Sequence, residues 1–379
     1  MTYTAPTVNY SATANGTYTT LTGVQSVVIN RGKRYFQDPY APSTCLIELI
    51  PANSYALPLE LGQFVDVRDA NSATSPCYFS GRITDVDRQY EMPYNTVSGA
   101  APGDRITITV TGALGPVGGA QASFFNVAAG TLVSQELRDI GFFTSEVIAV
   151  SNGSKTGSQN YSGAYLDLFN TLLRTGQMVV DDLDKRRSTD PGDFLSNYIY
   201  PIGTNFSLGI AYGDTGAGQR FKQIEYLSSV QNTFTRVQVV APVATATAST
   251  VSTFQNTLVY NTLNETSADV TSLANYLRDT LSQQLTPVPF MIETDTTVSA
   301  NCVAVAVCGT FANLQTAIGQ NAQIVFRGTT VTATIQGFTV RFGLDRASVQ
   351  LYFSPSLGTP FILDSSTFGV LDTNRLGYP

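Results

Sequence analysis

Histidine is absent from the 379 residues of this chain. Its absence excludes a Ser-His-Asp triad, a Cys-His pair and histidine-based metal sites. Two carboxylates suffice for glycoside hydrolysis, and a Ser-Lys pair can carry out acyl transfer. The residues that could still do chemistry are therefore mainly pairs and clusters of aspartate.

Asp85 and Asp87 lie two residues apart in GRITDVDRQY, which has the alternation of a strand. Residues i and i+2 of a strand share a face, so the two carboxylates are expected to be neighbours, as in a glycosidase. Arg82 and Arg88 flank them. Mixed charges at this spacing favour a solvated strand face over a catalytic pair.

Five more aspartates lie in VVDDLDKRRSTDPGD, residues 179–193. The segment lacks the glycine and the spacing of a calcium loop, so it is interpreted as a strand that enters a polar loop. Lys185, Arg186 and Arg187 are interpreted as part of a solvated turn. They are the only basic run, and the net charge of −7 argues against a nucleic-acid grip.

GDTGAGQR, from Gly213 to Arg220, contains the two glycines of a phosphate-binding loop. Gln219 and Arg220 stand where that loop needs Lys and Ser or Thr. The flanking segments FSLGIAY and FKQIEYL both alternate like strands. The sequence therefore predicts a hairpin loop here.

The four cysteines are far apart and form no C-x-x-C motif; they are Cys45, Cys77, Cys302 and Cys308. They are predicted to be unpaired, unmetallated thiols. We predict no catalytic, cofactor-binding or metal-binding residues and no cofactor. The N-terminal MTYTAPTVNY lacks the features of a secretory signal, and no apolar run reaches the ~18 residues of a membrane span.

Composition predicts a β-rich protein. Only 13% of residues are charged, and there are 31 glycines, 21 Phe and 19 Tyr. Strands are predicted near 24–30 and 44–50 and in DRITITVTG, whose isoleucines alternate with threonines. GALGPVGGA is predicted to break the sheet, and β structure resumes with VPFMIE, CVAVAVC, AQIVFRG, TVTATIQGFTVRF and SVQLYFSP.

Three amphipathic helices are predicted. The first spans Leu132–Ile140 and the second lies between Ser162 and Gly176. The third spans 266–285, with Thr266 and Asp269 as a capping box and a buried stripe, which consists of Val270, Leu273, Ala274, Leu277 and Leu281.

Two segments echo each other. Leu61-Gly62-Gln63 matches Ile318-Gly319-Gln320, and Phe79-Ser80-Gly81 matches Phe326-Arg327-Gly328. This echo predicts a duplicated β unit, in which a hairpin is ten residues longer in the first copy. β structures share such patterns for physical reasons, so chance similarity stays open.

The order of these segments resembles the hub-type minor tail proteins of long-tailed bacteriophages. The resemblance covers residues 45–379 and includes CYFSGRITDVDRQY, AYLDLFNTLLRTGQMVVDD and the C-terminal FILDSSTFGVLDTNRLGY. It implies a mainly β fold with an α+β insertion, built from two β-barrel hub domains. The expected parts are an N-terminal extension (1–44), a first barrel (45–120), a small α+β domain (121–241), a connector with a helix (242–290) and a second barrel (291–379). Residues 361–379 would form an ordered strap on that barrel.

The resemblance implies a non-enzymatic virion protein at the tail tip, assembled in the host cytoplasm as a homotrimer. The implied partners are the distal tail protein or tail tube, the C-terminus of the tape measure protein, and a central fibre or receptor-binding protein. Double-stranded DNA would pass through transiently, and no membrane insertion is expected. The wall of that passage is expected to carry more acidic and neutral polar residues than Lys and Arg, with Asp85 and Asp87 as candidates.

Three alternatives remain open at this stage. One is a hexameric distal tail ring, and another is a carbohydrate-binding adhesin whose tyrosines stack on sugars. The third is a glycosidase that uses Asp85 and Asp87.

Overall fold

The structure, a computed structural model, describes most of the chain. The described residues are 3–13, 16–50, 58–69, 77–89, 104–140, 146–148, 154–182, 197–201, 211–216, 218–227, 233–252, 255–282, 288–308 and 317–356. The predicted strap at 361–379 and the basic run at 185–187 lie outside them.

These residues form 21 strands and five helices. The strands up to residue 127 are β1 (Thr7–Ser11), β2 (Thr19–Thr20), β3 (Val24–Gly32), β4 (Thr44–Leu49), β5 (Phe64–Arg68), β6 (Cys77–Gln89), β7 (Arg105–Thr111) and β8 (Gln121–Val127). The next are β9 (Glu146–Ile148), β10 (Gln159–Ala164), β11 (Met178–Asp182), β12 (Asn197–Pro201), β13 (Ala211–Gly213), β14 (Gln223–Glu225), β15 (Arg236–Val240), β16 (Thr245–Ser249) and β17 (Thr257–Asn261). The last are β18 (Met291–Asp295), β19 (Asn321–Phe326), β20 (Thr329–Phe342) and β21 (Ala347–Pro355). The helices are α1 (Leu114–Gly119), α2 (Val133–Asp139), α3 (Tyr165–Thr175), α4 (Ser267–Ser282) and α5 (Cys302–Cys308).

A 13-stranded, mostly antiparallel sheet dominates the fold. Its main path runs β14-β18-β21-β20-β3-β4-β7-β6-β5-β1-β2, and β19 and β13 extend from β20. The mainly β class is therefore confirmed. The two barrels are not confirmed, because strands from both predicted domains belong to this one sheet and its end strands β14 and β2 do not pair with each other.

Alternating side chains build the first hydrophobic core beneath this sheet. In β7 the side chains of Ile106, Ile108 and Val110 are buried, whereas the threonines between them are half-buried. The same cluster takes in Ile292 of β18 and Leu351 of β21. Since burying one such side chain contributes about 1.5–3 kcal/mol, this shared core holds strands from the first and the last third of the chain in a single unit.

A second hydrophobic core is built mainly from helices α1 to α4 and the three-stranded sheet β16-β15-β17. The capping box of α4 forms as predicted: the Asp269 N–H donates to the Thr266 hydroxyl oxygen at 3.2 Å. The whole predicted stripe of α4 is buried. Residues on both sides of position 241 share this core, and the domain boundaries stay a prediction.

Two buried polar side chains bind the backbone of the segments that flank β4 and β7 and so fix these segments to the second core. Asn170 on α3 accepts the Tyr40 N–H at 2.7 Å and donates to the Tyr40 carbonyl at 3.0 Å. Asp182, at the end of β11, accepts the N–H groups of Ser43 at 2.7 Å and Leu114 at 2.8 Å. The polar aspartate cluster of the sequence thus supplies a buried anchor at its start.

Helices α2, α3 and α4 confirm the three predicted helices, although the residue before α3 is Ala164, and no side chain caps this helix. GALGPVGGA breaks the large sheet as predicted, and it does so with a helix, α1, in which Leu114 and Val117 bury one face and Pro116 is tolerated in the first turn. One strand prediction was wrong. CVAVAVC forms α5 rather than a strand.

Helix α5 shows why its strand prediction failed. Cys302, Val303, Ala306 and Val307 are buried together, which is a helical stripe, and the segment packs against β18, β20 and β21. A short run that is apolar almost throughout satisfies the strand and the helix period equally well. Among the described helices, none combines the length and the apolar character that a membrane span requires.

Candidate assembly surface

A four-stranded antiparallel unit occurs twice in the large sheet. In the first unit the strand order is β4-β7-β6-β5, and in the second it is β18-β21-β20-β19. The pairing follows the same rule in both units. When the four strands are numbered in chain order, the first pairs with the fourth, the fourth with the third, and the third with the second. The topology therefore contains a repeated β unit at the two places where the sequence echo lies.

Both units begin their second strand with the same glycine turn. In the turns 60–63 and 317–320 the fourth N–H donates to the first carbonyl, at 3.4 and 3.1 Å. Gly62 and Gly319 occupy the third position with φ of +85° and +77°. A turn of this type needs a positive φ there, which explains the Leu61/Ile318 echo.

Each turn is clamped to an isoleucine of the long third strand. The Gly62 N–H donates to the Ile83 carbonyl at 2.8 Å, and Ile83 donates back to the Gln63 carbonyl at 2.9 Å. In the second unit Ile335 makes the same two bonds with the turn 317–320, at 2.7 and 2.9 Å. In both units the pairing register shifts directly after the isoleucine.

This clamp corrects the second half of the echo. Because Ile83 corresponds to Ile335, Phe79 corresponds to Val331, and the match of Phe79 with Phe326 was wrong. Phe326 ends β19 just before a hairpin turn, in which Arg327 has φ of +50°. Gly62 and Ile83 are 21 positions apart and Gly319 and Ile335 are 16 apart, so the units differ by five residues here and not by ten.

One face of the sheet is polar across both units and the strand between them. A ladder of side-chain hydrogen bonds crosses five strands of this face. Its members are Thr44 (β4), Asn30 (β3), Thr339 (β20), Tyr352 and Gln350 (β21) and Glu293 (β18), with successive donor–acceptor distances between 2.8 and 3.5 Å. The polar face is therefore continuous, although the units lie far apart in the sequence.

The polar face carries more acidic than basic side chains. The pairing registers place seven carboxylates on it: Glu48, Asp66, Asp85, Asp87, Glu225, Glu293 and Asp295. The same registers place four guanidinium groups on it, those of Arg68, Arg82, Arg105 and Arg341. Burial opposes ionisation of Asp295, but hydrogen bonds from Lys222 and Thr297 outweigh it and hold the pKa of that carboxyl below its usual value. An acidic surplus of this kind repels phosphates.

Asp85 and Asp87 lie side by side on β6, opposite Thr109 and Thr107 of β7. Both are exposed on the open polar face. A glycosidase needs a site that encloses the sugar and excludes water, so this setting favours the solvated strand face. Several tyrosines, including Tyr40, Tyr212 and Tyr260, are buried in the cores and contribute to packing rather than to sugar binding.

The hairpin predicted around Gly213 was wrong. β13 pairs in parallel with β19, whereas β14 pairs with β18, so the two strands have different partners. The loop between them is closed by a bond from the Gly213 N–H to the Gln219 carbonyl at 3.0 Å. Asp214 accepts the Arg327 N–H at 2.8 Å, and a carboxylate in this position disfavours a phosphate. Alternation alone does not specify which strands pair.

Cys45, Cys77 and Cys302 are buried and form no disulfide, so these three side chains are thiols as predicted. Burial raises the pKa of the Cys302 thiol to about 12 and raises the pKa of the Cys45 thiol as well. Both thiols are therefore protonated and unreactive at neutral pH.

No protein-family model matches the sequence, and no curated protein matches it significantly. Solved structures do match. A 43 kDa tail protein of prophage MuSo2 from Shewanella oneidensis has a TM-score of 0.62 at 11% identity, over 92% of this chain and 98% of that one. A tail protein from Neisseria meningitidis has a TM-score of 0.61 at 10% identity, over 94% and 98%. This chain shares its fold with phage tail proteins.

A similar fold occurs in a secretion-system protein. An Escherichia coli protein, described as a component of the type VI secretion system with structural similarity to tail proteins of bacteriophage T4, has a TM-score of 0.51 at 11% identity. The match covers 88% of this chain and 73% of that one. At such low identity these matches establish the fold and leave the role to be argued from the chain itself.

Proposed function

We propose that the chain is a structural protein of a bacteriophage tail tip, where three copies form a hub ring. The observation that carries this proposal is the four-stranded unit that occurs twice with the same turn, clamp and register shift. Three copies of a two-unit chain present six similar units around one axis. Such a ring can join a sixfold partner on one side to a threefold partner on the other.

The partners follow from this symmetry. A sixfold tail tube or distal tail protein would bind the six repeated units, and a central fibre or receptor-binding protein would bind the threefold side. The tape measure protein would end at the same ring, and the assembled particle would carry it at its tail tip. In this role the chain binds and positions other proteins and catalyses no reaction.

The polar face is proposed to line the channel through the ring. DNA binds strongly wherever Lys and Arg follow its path, so a conduit for DNA should present acidic and neutral side chains instead. The surplus of carboxylates on the polar face, with Asp85 and Asp87 among them, has this character. The opposite orientation, with the polar face outside, is the alternative.

We expect the purified chain to form a complex of three copies, since three copies are needed for six units. Native mass spectrometry gives the copy number, and electron-microscope averages of end-on views show whether a central channel is present. A complex of six chains would favour the distal tail ring. A monomer at micromolar concentration would contradict the hub.

The channel wall can be tested by charge reversal. The double variant Asp85→Lys/Asp87→Lys is expected to bind duplex DNA at least ten times more tightly than the wild type at low salt, because three copies place six lysines on the wall. Fluorescence anisotropy with a short labelled duplex, followed through a salt titration, measures the change.

Asp279→Lys, on α4 and outside the sheet, is the matched control. It changes the net charge with the same sign, and it should leave DNA binding near the wild-type level. Equal tightening per added charge in both variants would place Asp85 and Asp87 on an outer surface.

A further inference from the structure

Strand β3 joins the two units within one chain. It pairs with β4 of the first unit on one side. On its other side it pairs with residues 337–342 of β20, the half of the long strand that follows the Ile335 clamp. The junction between the units is therefore an antiparallel strand pairing onto the second half of β20.

Strand β14 occupies the same place in the second unit that β3 occupies in the first. It pairs antiparallel with β18 so that Ile224 lies opposite Ile292, as Val27 of β3 lies opposite Ile47 of β4. Its other edge faces no strand in the described part of the chain. The second unit thus carries a junction strand with one free edge.

The first unit has an open strand edge, on β6, with which such a junction strand could pair. β5 pairs with β6 only as far as Arg82, and beyond the Ile83 clamp β6 is paired on one side, with β7. Among the described strands none pairs with the other side of Asp85–Gln89. This open side corresponds to the side of β20 that β3 covers, since Gln89 and Arg341 each lie six positions after their isoleucine.

The turn at Leu61 is uncovered next to this open side of β6. Its equivalent in the second unit, Ile318, is 0% exposed, and its Cδ1 lies 3.1 Å from the position that a Cβ on Gly32 of β3 would take. Leu61 is 69% exposed. The apolar tip of the turn is therefore covered where a junction strand is present and uncovered where it is absent.

We propose that β14 of one copy pairs antiparallel with β6, beyond Ile83, of the neighbouring copy. The intrachain junction supplies the register: Val28 lies opposite Arg341 and Ile29 opposite Val340. By correspondence, Glu225 lies opposite Gln89 and Tyr226 opposite Arg88. The neighbouring chain then covers Leu61, and the ring closes without open strand edges at this junction. This proposal rests on the proposed hub ring and names the contact that builds it.

A disulfide between copies tests the register. In the double variant Gln89→Cys/Glu225→Cys the two positions are directly opposite, at the roughly 5 Å separation that a disulfide spans. Mild oxidation is expected to link most chains covalently into dimers and trimers on a non-reducing gel. In Gln89→Cys/Gln223→Cys the second position is shifted by two residues, so the two cysteines are about 7–8 Å apart. The yield of linked chains should be at least tenfold lower. Val28→Cys/Arg341→Cys, the equivalent pair within one chain, should form its disulfide in any assembly state.

The outcomes separate the contact from the ring. A native trimer in which the Gln89/Glu225 pair does not link overturns the contact and leaves the hub standing. A disulfide within one chain also overturns it. Linked species that continue beyond three chains support the contact and overturn the three-copy ring. A monomer that does not link overturns both.

A second variant avoids cysteine chemistry. Leu61→Asp is expected to weaken assembly at least tenfold by native mass spectrometry, because it places a charge in the covered turn. Leu344→Asp, at another turn with 68% exposure, should assemble normally. Equal assembly of both variants would overturn the proposed contact.

Discussion

Replacing Gly32 by alanine is expected to lower the free energy of unfolding of the sheet by more than about 3 kcal/mol. Gly32 has φ of +75°, which costs an L residue about 1–2 kcal/mol. A Cβ there would also lie 2.4 Å from the Gln336 carbonyl oxygen and 2.7 Å from the Gly337 Cα, so the backbone of β20 would have to move. Urea-induced unfolding of the wild type and the variant measures the loss.

Gly62→Ala is the matched control. Its φ is +85°, and a Cβ would meet nothing within 4 Å, so the strain remains and the clash is absent. The expected loss is about 1–2 kcal/mol. If the two variants lost the same free energy, close packing of β3 on β20 would not be a source of stability.

Replacing Asp182 by alanine is expected to destabilise the protein by about 3 kcal/mol. The change leaves the N–H groups of Ser43 and Leu114 without their carboxylate acceptor, and hydrogen bonds to a charged group contribute about 1.5–3 kcal/mol each. Asp182→Asn keeps one acceptor oxygen, and its loss should be intermediate. Hydrogen exchange at the two amides reports the opening directly, and the free energy of unfolding reports its cost.

Asp279→Ala provides the comparison for Asp182. Asp279 pairs with Arg278 on the surface of α4 at 2.7 Å, and exposed pairs contribute less than about 1 kcal/mol. Hydrogen exchange at Ser43 and Leu114 should not change in this variant. Faster exchange there in both variants would indicate a general loosening instead of the loss of a specific anchor.

Local signals in the sequence predicted those elements that local physics determines. The stripe and capping box of α4 depend only on residues of that helix and its N-terminal cap, and the alternation of β7 depends only on residues of that strand. All of these features were predicted correctly. The turn at Gly62 and Gly319 was also visible, because a positive φ restricts the residue type.

The errors concern partners that lie far away in the chain. Which strand receives β13 or β14 depends on the tertiary arrangement, and their alternation carries no information about it. Helix α5 packs against β18, β20 and β21, and its short run contains no polar residue that would reveal the helical period. The polar face could not be predicted from the sequence for the same reason. Its hydrogen-bond ladder joins Asn30 to Thr339, which are far apart in the chain.

The two units differ most simply in the connection between their second and third strands. Eight residues link β5 to β6, and two residues, Arg327 and Gly328, link β19 to β20. Around a ring of three copies, long and short connections would alternate at otherwise matching positions. A partner protein that contacts only the strands common to both units would find six equivalent binding sites on the ring. A partner that contacts the connections would find three. The length of this one connection would thus be enough to determine whether three or six copies of a partner bind to the ring.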